Sequence, residues 1–249
     1  MRIRIVSYNI HRAIGVDRQF RPDRVASILG YLAADIVLLQ EVDEGAPRSR
    51  ELDLARVLAR DLSYPHVAVG HNVTLRKGRY GNATLSRFPI LRERNIDLTV
   101  GLRKRRGCQH TRILLRSHTG ERRRLEVFNL HLGLSARERQ EQIAMLARSR
   151  ELQALSDRVP CVVGGDFNDW RSLVEPLFEQ ELGFRSANGG DSGAERRIKT
   201  YPSFFAQGPL DRIYFRGAFR LLAARPCRLG LCRVASDHLP LVADLELHS

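Results

Sequence analysis

Polar residues recur where apolar, strand-like runs emerge along this 249-residue chain. Asn9 ends SYN, Glu41 follows IVLLQ, His131 closes FNLH, Asp166 and Asn168 stand in GGDFND, and Asp211 opens DRIYF. Ser236-Asp237-His238, near the C-terminus, completes the set. Inside buried strands such groups are costly, whereas at strand ends they can converge on one site. Carboxylates with amides and histidines suit metal-assisted phosphate chemistry, because a hard cation such as magnesium takes oxygen ligands and shares them with phosphate and water.

Each residue type then has an expected task. Glu41 is the first metal-ligand candidate, since Gln40-Glu41 directly after Ile36-Val37-Leu38-Leu39 puts a charge beside buried backbone. Asn9 offers a carbonyl oxygen to the metal or an amide to phosphate, and Asp237 binds metal or holds the site from beside it. Asp166 and Asn168 share a face if extended geometry continues, making Asp166 the candidate general base for an attacking water and Asn168 its orienting neighbour. His238 is expected to hydrogen-bond or protonate a phosphate oxygen, with Asp211 fixing its ring, and His131 to make a second phosphate contact. Mg2+ is the expected cofactor, with Mn2+ as a substitute. Cys108, Cys161, Cys227 and Cys232 lack zinc spacing and are expected to be reduced structural thiols.

These residues need a scaffold. Residues 22–32 have helical spacing with Val25, Ile28, Leu29 and Leu32 on one face, between strands ending at Asn9 and Glu41. Parallel pairing of those strands brings both side chains to one edge. A second helix is expected over 51–62, an antiparallel meander over 65–128, a long helix over 135–155, a buried strand over 160–166 and a shorter helix over 170–182. A polar loop over 187–199 and strands over 213–216, 218–227 and 241–245 complete the pattern. The order strand, helix, strand appears in both halves, and two sheets packed face to face with helices outside account for that echo.

Composition sets limits. Apolar residues make up 43%, enough for one sizeable core, and a single domain over 1–249 is expected. No run approaches the roughly 18 apolar residues of a membrane span. The first strand begins almost at Met1, which leaves no room for a signal peptide, so a cytoplasmic location is expected. A net charge of +13 favours anionic partners, although arginine-rich composition also follows from GC-rich codon usage. The basic runs at 103–106 and 122–124 are expected at or beside turns; Arg103, Arg105 and Arg106 are candidates for substrate phosphate. No protein partner is expected.

The blocks SYNI, LLQEV, GNATLSRFPI, FNLHL, GGDFND, LDRIY and SDHLPL, in this order over nearly the whole chain, resemble the endonuclease/exonuclease/phosphatase superfamily of DNase I-like nucleases, sphingomyelinases and inositol phosphatases. The resemblance implies an α/β fold, a four-layer sandwich of two central mixed β-sheets flanked by helices. It also implies Glu41 for metal, Asn9 and Asn168 for phosphate and water positioning, Asp166 for nucleophile activation, and Asp211 with His238 as an acid–histidine pair. By the same resemblance His131 contacts phosphate and Asn82 lies in the floor of the site. One departure stands out: His11 occupies a position where several DNA-repair members carry a second carboxylate.

The leading expectation is therefore a magnesium-dependent phosphodiester hydrolase acting on nucleic acid. The alternatives are a phospholipid or sphingomyelinase-like head-group phosphodiesterase and a phosphomonoesterase, with a non-enzymatic binding module as a third class. A lipid enzyme needs an exposed apolar loop beside the site. Phe204-Phe205 is the one candidate, expected instead to anchor in the core with at most one ring outward.

Overall fold

A computed structural model of the chain describes residues 1–116, 120–189 and 197–248. Part of the expected 187–199 loop and the turn beginning at Thr119 lie outside these. Twelve strands form two sheets of six among the described residues. The first sheet has the order β11 (Phe219–Pro226), β12 (Leu241–Leu247), β1 (Arg2–Asn9), β2 (Ile36–Glu44), β4 (Arg79–Ser86), β3 (His66–Thr74). In the second the order is β5 (Ile90–Asp97), β6 (Gly107–Arg116), β7 (Arg122–His131), β8 (Cys161–Asp166), β10 (Asp211–Arg216), β9 (Arg185–Ser186).

Each sheet contains one parallel pair, β1 with β2 and β7 with β8, and is otherwise antiparallel. Each parallel pair is bridged by a helix, α1 (Pro22–Leu32) in one half and α3 (Ala136–Ala147) in the other, so the echo in the sequence is real. Ile3, Ile5, Leu38, Val127, Val162, Ile213 and their neighbours fill the space between the sheets. Separate apolar clusters lie under α1 and α2 (Leu54–Asp61) on one outer face and under α3 on the other. This is the four-layer α/β sandwich, with the central strands of each sheet buried on both faces.

Several expected elements are redrawn. The 65–128 meander is two pieces, β3–β4 in the first sheet and β5–β6–β7 in the second, because the chain crosses between sheets at Phe88-Pro89. Arg122, Arg123 and Arg124 are the first residues of β7. The 135–155 helix breaks after Ala147: the Ser149 hydroxyl donates to Leu146 O and accepts from Leu152 N, capping a new short helix, α4 (Arg150–Gln153). In place of the 170–182 helix the chain wraps around the buried Arg212 guanidinium, which donates to Asp169 O, Ser172 Oγ and Glu175 Oε2; only Leu177–Glu181 forms a π-helical turn. Hydrogen bonds to a buried cation outweigh a helical pattern that supplies only local bonds.

Gly164 and Gly165 lie inside β8 and not in a turn after it. Gly165 has φ +146°, and a Cβ there would sit 1.9 Å from Leu130 O in the parallel neighbour β7. Gly165→Ala is therefore expected to destabilise by about 3 kcal/mol, the upper range for overpacking a core. At roughly 2–4 °C per kcal/mol for a chain of this size, the melting temperature should fall by about 6–12 °C. An unchanged thermal melt would show that the two strands can separate locally.

Candidate active site

Register brings the polar residues to one end of the sandwich. β1, β2, β7 and β8 run towards that end, while β10 and β12 start from it. Asp211 is the direct cross-strand partner of Asp166, and His131 is paired with Asp166 on the other side.

Asp166 is the hub. Its Oδ2 accepts from Asn9 Nδ2 at 3.0 Å and lies 3.4 Å from His131 Nε2 and 3.7 Å from His238 Nε2. Its Oδ1 accepts the backbone N–H of Asn168 at 2.9 Å. Burial pushes the Asp166 carboxyl up to about 6, with Asp211 adding to the rise and His238 opposing it. His238 Nδ1 meets Asp211 Oδ2 at 2.8 Å. Burial disfavours a charged His238, but Asp211 and Asp166 outweigh it and hold the imidazole up to about 10. His131 is driven the other way, by burial first and then by Arg106, His238 and Lys104, so it is neutral at pH 7. The site thus holds one cationic and one neutral histidine about a single carboxylate.

Glu41 is not at a strand end. It sits in a β-bulge of β2 between Leu39 and Val42 with φ +55°, a left-handed conformation that a bulge makes available to re-aim a side chain. Its Oε2 is buried without a hydrogen-bond partner, and the nearest cation, Arg12 Nε, is 3.4 Å away. Asp211 Oδ1 is likewise buried and unpartnered. Orphaned carboxylate oxygens of this kind fit a cation, since leaving them unpaired costs free energy. Asn9 Oδ1 accepts from His11 N, which leaves one lone pair free. Asp237 Oδ1 is 3.3 Å from Ser236 Oγ, whose hydroxyl reaches Asn9 O at 2.7 Å and ties the C-terminal turn to β1. Ligand atoms of Asp166, Asp211 and His238 also lie within 4.8 Å of one another, a geometry that could hold an ion.

Other expected placements change. Asn168 does not continue the strand: its φ is +51°, and its Nδ2 donates to Leu132 O at 2.9 Å, so its backbone and not strand alternation links it to Asp166. Asn82 is buried with its amide donating to Gly107 O and Asn129 O. With Gln40 donating to Asn129 Oδ1, its amide nitrogen belongs to a polar strut between the sheets. Arg103 is turned to Ser135 and Glu138 beside α3; Arg105 is exposed; Arg106 is buried close enough to bias His131. His11 Nδ1 meets Ile14 O at 3.0 Å, which ties the histidine to its own turn.

Sequence reasoning missed Arg12 and Tyr201. Arg12 reaches Glu41 because His11, Arg12 and Ala13 all adopt positive φ, which no residue type there announces. The Tyr201 ring lies 5.0 Å from that of His238 and shields it. TYPSFF near the LDRIY block was the only available signal.

The model of the endonuclease/exonuclease/phosphatase family matches residues 6–238, from β1 through His238. The chain belongs to that family. A relative of the chain, the Escherichia coli protein YbhP, is 34% identical across 98% of this chain and 96% of its own length. An endonuclease/exonuclease/phosphatase from Beutenbergia cavernae superposes with a TM-score of 0.81 at 22% identity, covering all of this chain and 72% of that one. The Bacteroides thetaiotaomicron mannosyl-6-phosphatase gives 0.74 at 18%, over 98% of this chain and all of the other. D. rerio TDP2 with a single-strand DNA product gives 0.73 at 16%, over 98% and 99%. At these identities the solved structures establish the shared fold, and the family is one of phosphoester hydrolases.

Proposed function

We propose that the protein is a magnesium-dependent phosphodiester hydrolase in which water attacks phosphorus in line with the leaving oxygen. The observation that carries this reading is Asp166 Oδ2, fixed by Asn9 and flanked by His131 and His238 within 3.0–3.7 Å. Asp166 takes the proton of the attacking water. His238, held cationic by Asp211, donates a hydrogen bond to a phosphate oxygen, and neutral His131 makes a second contact. The new bond joins water oxygen to phosphorus, the bond to the leaving oxygen breaks, that oxygen takes a proton from solvent, and Asp166 returns its proton to solvent. Glu41, Asn9 and Asp237 would hold the cation, with Asp211 Oδ1 as a further unpartnered oxygen. Bound there, a divalent cation neutralises phosphate charge and acidifies water.

Nucleic acid is the first substrate class, supported by the +13 net charge and by exposed Arg105 beside buried Arg106 at the mouth. The second, a lipid head-group diester, is favoured by a specific observation: Phe204 and Phe205 are both exposed. Hydrolysis of a small model diester should stop in excess EDTA and return with Mg2+ or Mn2+. Full activity in EDTA would remove the metal from the reading. Glu41→Gln should raise the Mg2+ concentration needed for half activity about tenfold or more, the scale of one lost charge-assisted contact, without lowering the melting temperature.

A further inference from the structure

The end of the sandwich that carries the site also carries large apolar side chains that are half or more exposed. Leu102 is fully exposed, Leu134 is 77% exposed, Trp170 52%, and Phe204 and Phe205 65% each. Their positions follow from the strands. Leu102 lies in the β5–β6 connection, and β6 starts beside the end of β7, as Cys108 pairs with Leu130. Leu134 follows His131, Trp170 follows Asn168, and the Phe204-Phe205 turn precedes Asp211. Leu102 and Leu134 stand on one flank, where Arg103 bonds Ser135 at 3.0 Å. Trp170 and the two phenylalanines stand on the other, where Trp170 packs edge-on to Tyr201 and Tyr201 faces His238.

The aromatic turn is held outward by its own backbone. Ser203 N donates to Asp237 O at 2.8 Å, Ser203 Oγ to Arg233 O, and Phe205 N to Pro202 O at 3.0 Å. The two Ser203 bonds tie this loop to the segment that leads into His238 and fix where its backbone lies. The expectation of core anchoring with at most one outward ring therefore fails: the segment is a loop and not an alternating strand, and both rings are exposed. Exposed Arg103, Lys104, Arg105 and Arg171 lie among these apolar residues.

We infer that this rim docks on an anionic phospholipid bilayer, with Leu102, Leu134, Trp170, Phe204 and Phe205 entering the acyl boundary and the basic residues meeting head-group phosphates. Aromatic rings beside arginine suit single-stranded nucleic acid as well, by stacking. Leu102 and Leu134 favour the bilayer: an aliphatic side chain has no π-face to stack and gains most where hydrocarbon receives it. Two apolar flanks astride the site place it against the head groups, which favours the second of the two proposed substrate classes, a lipid head-group phosphodiester, over the first. That clause rests on the proposed phosphodiesterase activity; the docking itself does not.

The test is co-sedimentation of the full chain with vesicles of phosphatidylcholine, alone and in a two-to-one mixture with phosphatidylglycerol. Binding to the mixed vesicles is expected, and the double variant Phe204→Ser/Phe205→Ser should weaken it roughly 100-fold, with Leu102→Ser alone weakening it about tenfold. Both variants should keep the wild-type thermal melt and the wild-type rate on a small soluble diester. Vesicle binding with no hydrolysis of any diester supports the docking surface and removes the phosphodiesterase reading. The inference is overturned if wild-type protein ignores the mixed vesicles, if the variants bind them equally well, or if the double variant loses a single-stranded oligonucleotide instead.

Discussion

Asp166→Asn is expected to lower turnover on a model diester by about 100-fold or more, the range for removing a general base. The substitution keeps the shape of the side chain, so Asn168 N–H can still donate to its Oδ1 position. What is lost is the proton acceptor. Folding should not suffer. A carboxyl whose folded value is raised to about 6 holds its proton more tightly in the native state than unfolded, so stability is greatest at low pH and declines as pH rises through that value. An uncharged amide removes this penalty, and the melting temperature at pH 8 should equal or exceed that of wild type. The Asn9 amide loses its carboxylate partner, which limits the gain. Turnover near wild type, or loss of the folded state, would reject Asp166 as the base.

The second large effect concerns the buried pair. Asp211→Asn and His238→Ala should each cost roughly 100-fold in turnover, and the double variant about as much as the worse single, because residues acting as a unit do not lose independently. Multiplicative losses near 10,000-fold would deny the pair. A separate readout distinguishes positioning from packing. In wild type His238 is held up to about 10, largely by Asp211 against the cost of burial. In Asp211→Asn its imidazole resonances should titrate at markedly lower pH by NMR, with Asp166 supplying the remaining upward pull. An unmoved titration would mean that Asp166 alone sets the charge on His238.

Much of this protein was legible in its sequence. Apolar runs ending in Asn9, His131 and Asp166 are strands because their side chains must leave water, and parallel pairing of two such runs dictates where their ends meet. A residue-by-residue pattern therefore located the candidate site and implied the layered fold. The helix over Pro22–Leu32 was readable for the same reason: its buried face repeats at helical spacing. Less legible were elements set by contacts distant in sequence. The expected helix at 170–182 gave way to the carbonyl, hydroxyl and carboxylate that surround Arg212, a residue about forty positions on in the chain.

Sequence by itself determined the chemical inventory of the site and the end of the sheets at which it gathers, because residue type and strand direction are local properties. Tertiary structure decided the orientation of each side chain. It turned Asn82 into a strut between sheets, aimed Glu41 through a bulge, brought Arg12 beside it through three left-handed residues, and held both Phe204 and Phe205 in solvent. Direction depends on backbone dihedrals and on hydrogen-bond partners far along the chain, and neither is encoded in the spacing of one segment.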